Sequence, residues 1–564
     1  MDFATRASRR TWRRHLTARA VLLVVCTSLL LSARIPLSGA RPRFYDDDPL
    51  THEPETQDAS GVRPRDIDLV TDALLNLFTR PGDPSPDVRA RDVNTSDEVP
   101  DSSWFTNRIY ARPVSIAALT TGPNTTAGPA PGAWTVIRPK TSGFAPGFTV
   151  LDSAGEVWFL TFDAAGSPGA ASGAIAVATR LFWALGYHQV ESHLSVLRPE
   201  TLTIGEGVQY KVRPGRTRPF TMDDVQAVLR RAARNADGSY RVLAARQLPG
   251  KIVGGFRYHG TRSDDPNDIV PHEHRRALRA LKVFGAWTNL VDLKAGNTLD
   301  SVITENGRSR VRHYLQDVGS TFGTGAEGPH EFHEGWESLY DGDLAWRRFI
   351  SLGFFLQPWQ TASFDERPEI GRFEGDAFDP EQWQPRVPAA AVLRARDDDT
   401  FWAALRVMAF TDEMIRAAVK TAEFSDPASE RLLGDVLIKR RDAIGRVYLP
   451  KVNPVINPVL DARGTLTFSN AAVDAGVATA PSRYVARWFS FDNATGETAA
   501  VGESTASTPS LASPDGLPGT PGAFIQIDIS AEGGPQAWTR PVHAWFKRTA
   551  DGWRAVGLTR MPGL

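Results

Sequence analysis

Three regimes of hydrophobic patterning succeed one another along the chain. Between Trp134 and Leu243 apolar residues fall in short runs, at Trp134-Thr-Val-Ile137, Phe148-Thr-Val-Leu151, Val157-Trp-Phe-Leu-Thr-Phe162, Gln209-Tyr-Lys-Val212 and Tyr240-Arg-Val-Leu243. Runs of this composition predict strands, and Asp152-Ser-Ala-Gly155 supplies a turn between two of them. One helix interrupts the strands. Ile175, Thr179, Phe182 and Leu185 share a face over about 171–185, and Gly186 is placed to end it. A shorter helix is expected at about 221–234.

From His272 the apolar spacing changes to three and four. Leu278, Leu281, Phe284, Trp287 and Val291 mark one buried helical face. Further helices are predicted at Ala345–Leu356, Thr400–Met408, Asp412–Thr421 and Pro427–Ile444. In the last, Asp426 can cap the N-terminus and Pro427 can take the first helical position. Asp397-Asp-Asp399 is expected to cap the helix from Thr400. Beyond Pro450 the chain reads as strands again, broken at 496–522, where small, polar residues predict a flexible loop inside a β domain.

The predicted organisation is a signal peptide or N-terminal anchor at 1–40 and an extended segment at 41–130 with a short helix at Ile67–Phe78. A strand-then-helix unit follows at 131–445, and a C-terminal β-rich domain at 446–564. That order gives an α+β fold class.

Composition changes this picture little. The chain has 564 residues, 41% hydrophobic and 23% charged, with formal net charge −1. Nothing in that balance calls for a nucleic-acid partner. The N-terminus is more specific. Six arginines precede the apolar run Ala20–Ala33, and Ser38-Gly-Ala40 follows, the pattern of an export signal. An exported protein of the periplasm or cell envelope is therefore expected, touching membrane only through this segment. Removing residues 1–40 takes away seven arginines and one aspartate and moves the net charge from −1 to −7. It also removes the only cysteine, Cys26, so stability must come from core packing.

The sharpest chemical signal is Asp292-Leu-Lys294-Ala-Gly-Asn297. An Asp followed five positions later by Asn, with Lys between, has the spacing of a phosphotransfer loop. There Asp292 orients the attacking hydroxyl, Lys294 neutralises phosphoryl charge and Asn297 helps hold a divalent cation. Thr298–Ile303 and Val311–Leu315 flank Glu305-Asn-Gly307, a hairpin turn. Directly after the second strand comes Asp317-Val-Gly-Ser320, and Asp317 can supply a second metal oxygen from a separate segment. Gly143 and Gly147 lie in a turn between two predicted strands that could cover phosphate, although Pro146 removes one backbone donor.

Several stretches add a resemblance: Gly143-Phe-Ala-Pro-Gly147-Phe, Ala184-Leu-Gly-Tyr-His188, Leu248-Pro-Gly-Lys-Ile-Val-Gly-Gly-Phe256, Asp264-Asp-Pro-Asn-Asp268, His272-Glu-His-Arg-Arg276 and Asp317-Val-Gly-Ser320. With these, 134–445 resembles a bacterial family of exported or envelope proteins distantly related to the HipA and CotH kinase-like proteins. The resemblance implies a two-lobed kinase-like fold, ATP with Mg or Mn as cofactor, and a protein or small-molecule acceptor. It also implies a lysine that clamps the α and β phosphates where this chain has Thr161, and a helical Glu paired with it where this chain has Ile175. Lys140, Lys211 and Lys251 are candidates to replace the clamp, and Lys140 is assigned with Gly143 and Gly147 to the nucleotide.

Two readings follow. One is a Mg-dependent phosphotransferase with a degenerate clamp; the other is a non-catalytic, pseudokinase-like scaffold of the envelope. Histidines are poor metal candidates here, since His272 and His274 are two apart and His330 and His333 lack further ligands. No nucleophile-elbow motif is present.

Overall fold

The computed structural model describes residues 41–140, 145–213 and 215–561. The predicted signal at 1–40 and the predicted phosphate-turn residue Gly143 lie outside the described residues.

The acidic stretch at 41–66 is an extended arm held by other parts of the chain. Ala59 donates its N–H to the Ser309 carbonyl at 3.0 Å and Arg65 to that of Val253 at 3.2 Å. Ala59 and Val62 are buried with Val253, Val302 and Val311. At its start Phe44 packs among Phe491, Phe524 and Trp545. Helix α1 (Leu69–Phe78) follows, and the Asp68 carboxylate caps it by accepting the Val70 and Thr71 N–H groups at 3.1 Å. Helix α2 (Ile116–Thr121) ends the wrapping segment.

The strand-rich part carries β1 (Trp134–Pro139), β2 (Gly147–Leu151), β3 (Val157–Phe162), β4 (Ser192–Leu197), β5 (Leu202–Ile204), a separate ribbon of β6 (Gln209–Arg213) and β7 (Arg216–Pro219), and β8 (Tyr240–Arg246). Six of these form one sheet in the order β4-β8-β3-β2-β1-β5. In the β2–β3 turn one Asp152 oxygen accepts the Ala154 and Glu156 N–H groups, each at 2.9 Å. Trp158, Leu160 and Phe162 of β3 face a core shared with Val225 and Leu229 of helix α4 (Met222–Leu229). Strand alternation therefore sends Thr161 to the opposite face. Helix α3 (Ala170–Leu185) packs on β3, β4 and β8, and Gly186 ends it at φ 122°. A Cβ at Gly186 would collide with the Phe105 ring.

A second sheet joins β9 (Lys251–Gly254), β10 (Thr298–Glu305) and β11 (Arg308–Leu315) in the order β11-β10-β9. The β10–β11 turn places Asn306 at φ 52° and Gly307 at φ 75°, the left-handed pair a two-residue hairpin requires. The helices are α5 (Arg276–Arg279), α6 (Leu281–Thr288), α7 (Gly342–Ile350), α8 (Ala390–Leu393), α9 (Asp397–Met408), α10 (Asp412–Lys420) and α11 (Pro427–Tyr448). The predicted face from Leu278 to Val291 is divided between α5 and α6 on either side of Ala280, and Val291 falls beyond the helix, which Asn289 ends at φ 55°. The Asp426 cap of α11 is formed, its carboxylate accepting the Ala428 N–H at 2.8 Å.

Two helix boundaries differ from expectation. Helix α7 stops at Ile350, since Leu352 (φ 51°) and Gly353 (φ 85°) reverse the chain and Gly353 donates to the Arg348 carbonyl at 3.0 Å. The aspartate run is the first turn of α9, whose N-cap position is Arg396; Asp399 still contributes to capping by accepting the Arg396 N–H at 3.1 Å, and Asp398 and Asp399 are buried against arginines of α5.

The C-terminal strands are β12 (Val455–Leu460), β13 (Thr465–Asn470), β14 (Arg483–Phe491), β15 (Thr498–Ala506), β16 (Ser510–Ala512), β17 (Phe524–Glu532), β18 (Val542–Arg548) and β19 (Trp553–Thr559). They form sheets ordered β12-β13-β16 and β15-β14-β17-β18-β19. The loop expected at 496–522 is in part a correction. Residues 498–506 are an edge strand paired with β14 from Tyr484↔Ala506 to Phe491↔Thr498. Small and polar side chains suit an edge with little to bury, so composition hid the strand. Ile525, Ile527, Ile529 and Trp538 belong to the same continuous core as Phe284, Trp287 and Phe401 of the helices.

Candidate functional site

The site grows from the end of α6. Leu290 and Val291 are fully buried, which anchors the chain just before Asp292. A single 3-10 turn, Ala295–Asn297, then leads into β10. Inside this loop the Asn297 amide nitrogen donates to the Asp292 carbonyl at 2.8 Å, and the Asn297 backbone N–H donates to Lys294 at 3.0 Å. With its nitrogen committed, the Asn297 side chain keeps its carbonyl oxygen for a cation.

The second loop is stitched to the first. The Asn297 backbone carbonyl accepts the N–H groups of Gln316 at 3.1 Å and Asp317 at 3.0 Å, and Val291 donates to the Ser320 carbonyl at 3.3 Å. One Asp317 oxygen accepts the Gly319 N–H at 3.0 Å, and the other has no hydrogen-bond partner among the described residues. Asn297 and Asp317 thus arrive side by side from two segments. Among the described residues no cluster of three His, Cys, Asp or Glu side chains could hold a metal alone. A cation here would draw two oxygens from protein and the rest from its own ligand and water, as magnesium does at phosphate sites.

Asp292 sits in a charged setting. Lys294 Nζ lies 2.7 Å from its Oδ2, and Arg386 Nη1 lies 3.9 Å from its Oδ1. Arg386 reaches Glu334 at 2.6 Å, Glu334 lies 3.5 Å from His330 Nδ1, and His330 Nε2 lies 3.3 Å from Ser320 Oγ. A chain of side chains therefore runs from Asp292 to the loop containing Asp317. Burial pushes the His330 pKa down to about 4, against the pull of Glu334, so its imidazole is neutral at pH 7. The Tyr258 hydroxyl is buried with no hydrogen-bond partner among the described residues; burial and then the Asp292 charge push its pKa up.

In the six-stranded sheet, β2 and β3 place Gly147 directly opposite Thr161. Paired residues of an antiparallel ladder point to the same face. A Cβ on Gly147 would meet Lys140 Cδ at 3.3 Å, so the Lys140 stem occupies the face on which Thr161 lies. Partial desolvation lowers the Lys140 pKa, and the Asp317 charge opposes that shift. By surface area Lys140 is exposed, yet enough protein surrounds its ammonium to impose this cost; the crowding decides the direction. Lys251 is engaged elsewhere, donating to the Val62 carbonyl at 3.0 Å, and Lys211 stands on the β6–β7 ribbon. On the helix side, Ile175 of α3 touches the Gly319 position at 3.0 Å from a notional Cβ. Two cavities of about 640 and 620 Å³ lie elsewhere, lined by none of Asp292, Asn297 and Asp317.

No family model matches the chain, and no curated protein matches it. Among solved structures, the Helicobacter pylori proinflammatory kinase CtkA is similar over 54% of this chain and 92% of its own, at 10% identity and a TM-score of 0.28. The Golgi casein kinase with Mn and ADP bound is similar over 58% of this chain and 76% of its own, at 10% identity and a TM-score of 0.26. A further structure of the Golgi casein kinase covers the same shares at a TM-score of 0.27.

Of the residues the sequence singles out, Asp292, Lys294 and Asn297 are joined within one loop, and Asp317 meets Asn297 through main chain. Sequence reasoning missed Arg386, Glu334 and the linking role of His330. Arg386 is far from any motif, and its backbone N–H bond to the Val291 carbonyl at 2.8 Å holds it beside the loop.

Proposed function

We propose that the chain is a divalent-cation-dependent phosphotransferase whose nucleotide clamp has moved from β3 to the end of β1. The observation that carries this reading is Lys140. Its stem crosses Gly147 on the Thr161 face, and its ammonium senses the Asp317 carboxylate. In phosphotransfer sites a lysine holds the nucleotide phosphates while the cation bridges them to a carboxylate, the place Asp317 would take. In this reading Asp292 orients an acceptor hydroxyl, Asn297 and Asp317 hold Mg or Mn, and Lys294 neutralises charge on the transferred group. Ile175 leaves no carboxylate on α3 at that point, so Asp317 takes over the electrostatic partnership with the lysine.

The test is thermal stability with ATP and Mg²⁺ or Mn²⁺, for the parent, Lys140→Met and Asp317→Ala. Stabilisation of the parent, lost in both variants, is expected. An unshifted parent rejects the proposal and leaves the non-catalytic scaffold, which the paired state of Asp292 with Lys294 would then suit as a purely structural contact.

A further inference from the structure

The cavity of about 640 Å³ forms where three parts of the chain meet. Its walls come from the loop that follows α1 (79–88), the segment between α8 and α9, and two C-terminal residues, Arg540 before β18 and Met561 after β19. Arg279 of α5 completes them. Five arginines and two aspartates line this one space, so the balance of their charges decides what it can hold.

Two of the arginines are spent on the fold. Arg279 donates to Asp399 at 2.9 Å and to the Val88 carbonyl at 2.8 Å. Arg396 lies 3.2 Å from Asp398 and donates to the Asp87 carbonyl. These bonds fix the 79–88 loop as one wall. The other three arginines are unanswered. Arg80 and Arg540 make no side-chain hydrogen bond or ion pair among the described residues. Arg394 uses only its Nε, which donates to the Asp83 carbonyl at 2.9 Å. That bond orients the guanidinium and leaves both terminal nitrogens without a partner among the described residues.

The carboxylates do not restore the balance. Asp397 is held by Lys451 at 3.1 Å. Asp83, earlier in the same loop, is held by His274 at 3.0 Å and Arg91 at 4.0 Å. Asp87 alone of the lining carboxylates has no partner among the described residues. Three free guanidinium groups from separate segments therefore face one free carboxylate. Like charges gathered at a concave wall repel one another and focus their field on the space between them.

We propose that this cavity binds a small phosphate ester with a hydroxyl-bearing body. A phosphate monoester brings three acceptor oxygens and nearly two negative charges at pH 7, which offsets the excess of three arginines over Asp87. A carboxylate brings two oxygens and one charge and would leave the space positive. Guanidinium groups also match phosphate oxygens in pairs. The free Asp87 carboxylate is an acceptor for a hydroxyl on the body, and Leu393, 43% exposed, offers it apolar contact. A volume of about 640 Å³ is far larger than a bare phosphate and suits a small-molecule site. None of Asp292, Asn297 and Asp317 lines it, so the site is separate from the cleft whatever the cleft does.

The experiment uses the full chain carrying Lys140→Met and Asp317→Ala, which removes the cleft as a phosphate site. Salt is kept at about 0.15 M, where diffuse surface charge is screened. Glycerol 3-phosphate is the probe, titrated calorimetrically beside glycerol and inorganic phosphate. Glycerol 3-phosphate should bind as one equivalent, inorganic phosphate more weakly and glycerol not at all. Arg80→Gln and Arg540→Gln should each weaken binding about tenfold at unchanged melting temperature, since neither side chain holds the fold. Asp87→Ala should narrow the preference for the ester over inorganic phosphate. Absence of binding by both phosphate compounds would overturn the proposal. Binding that persists unchanged when Arg80→Gln and Arg540→Gln are combined would overturn it too, because the anion would then sit elsewhere. Equal affinity for inorganic phosphate and glycerol 3-phosphate would overturn the assignment to an ester.

Discussion

The backbone carbonyl of Asn297 accepts the N–H of Asp317 at 3.0 Å, so the two residues that would hold a cation are fixed to each other through main chain. Their separation cannot be changed by rotating side chains alone. The Asn297 side chain adds a bond to the Asp292 carbonyl at 2.8 Å, which makes it both a loop strut and an oxygen donor.

Asn297→Ala separates those roles from those of Asp317. It leaves the Asp292 carbonyl without that donor, at a cost of about 1–3 kcal/mol. Asp317→Ala removes an exposed carboxylate and should change stability by under ~1 kcal/mol. Urea unfolding without nucleotide is the measurement. Equal losses for both substitutions would contradict the strut role of Asn297.

Asp399 lies 2.9 Å from both Arg276 and Arg279, and all three side chains are buried. Asp398 and Asp97 complete the group around Arg276 at 3.1 and 3.0 Å. Asp399→Ala takes from the buried Arg279 its carboxylate partner among the described residues and from Arg276 one of three, and a loss of about 3–5 kcal/mol is expected. Calorimetric melting would show it as a large fall in Tm; a change within the range of a surface substitution would mean that water reaches the cluster.

The pattern of what the sequence disclosed follows from range. Elements whose cues are local, such as β3, α3 and the Asn306-Gly307 hairpin, were legible because periodicity and turn chemistry act over a few residues. The Asp292, Asn297 and Asp317 constellation was legible because one hairpin carries all three. Lys140 was one of three candidate lysines that sequence could not choose among, and Arg386 and Glu334 were not legible at all, because their positions depend on strand register and loop path. Thr498–Ala506 was missed because an edge strand is held by backbone bonds that leave no hydrophobic trace.

His188 and His330 predict a pH dependence. Burial holds their pKa values at about 3 and about 4, below the ordinary 6.5 of an unfolded chain. The unfolded state therefore binds more protons between pH 6.5 and those values, and stability is present above 6.5 and lost as pH falls through the window. For His330 the loss is on the order of 3 kcal/mol by pH 4. Melting temperature from pH 7 to 4 should decline, and His330→Asn should flatten the slope between about pH 6.5 and 4. An unchanged slope in that variant would show that His330 does not remain neutral when folded.

The displaced clamp makes a rescue prediction. If Lys140 serves the phosphates from the end of β1, then the face it covers is the one on which Thr161 stands, directly across from Gly147. Lys140→Met should abolish stabilisation by ATP with Mg²⁺ while leaving the unliganded melting temperature within about 1–2 °C, since the lysine is exposed by area. Adding Thr161→Lys to that variant returns an ammonium to the same face two strands away. Part of the nucleotide-dependent shift should return, to within about tenfold of the parent affinity. Thr161→Lys in the parent should not add to it, because two ammonium groups over one phosphate site repel and each lowers the other's pKa. Failure of the double variant to recover any shift, with its fold intact by circular dichroism, would place the role of Lys140 outside phosphate binding.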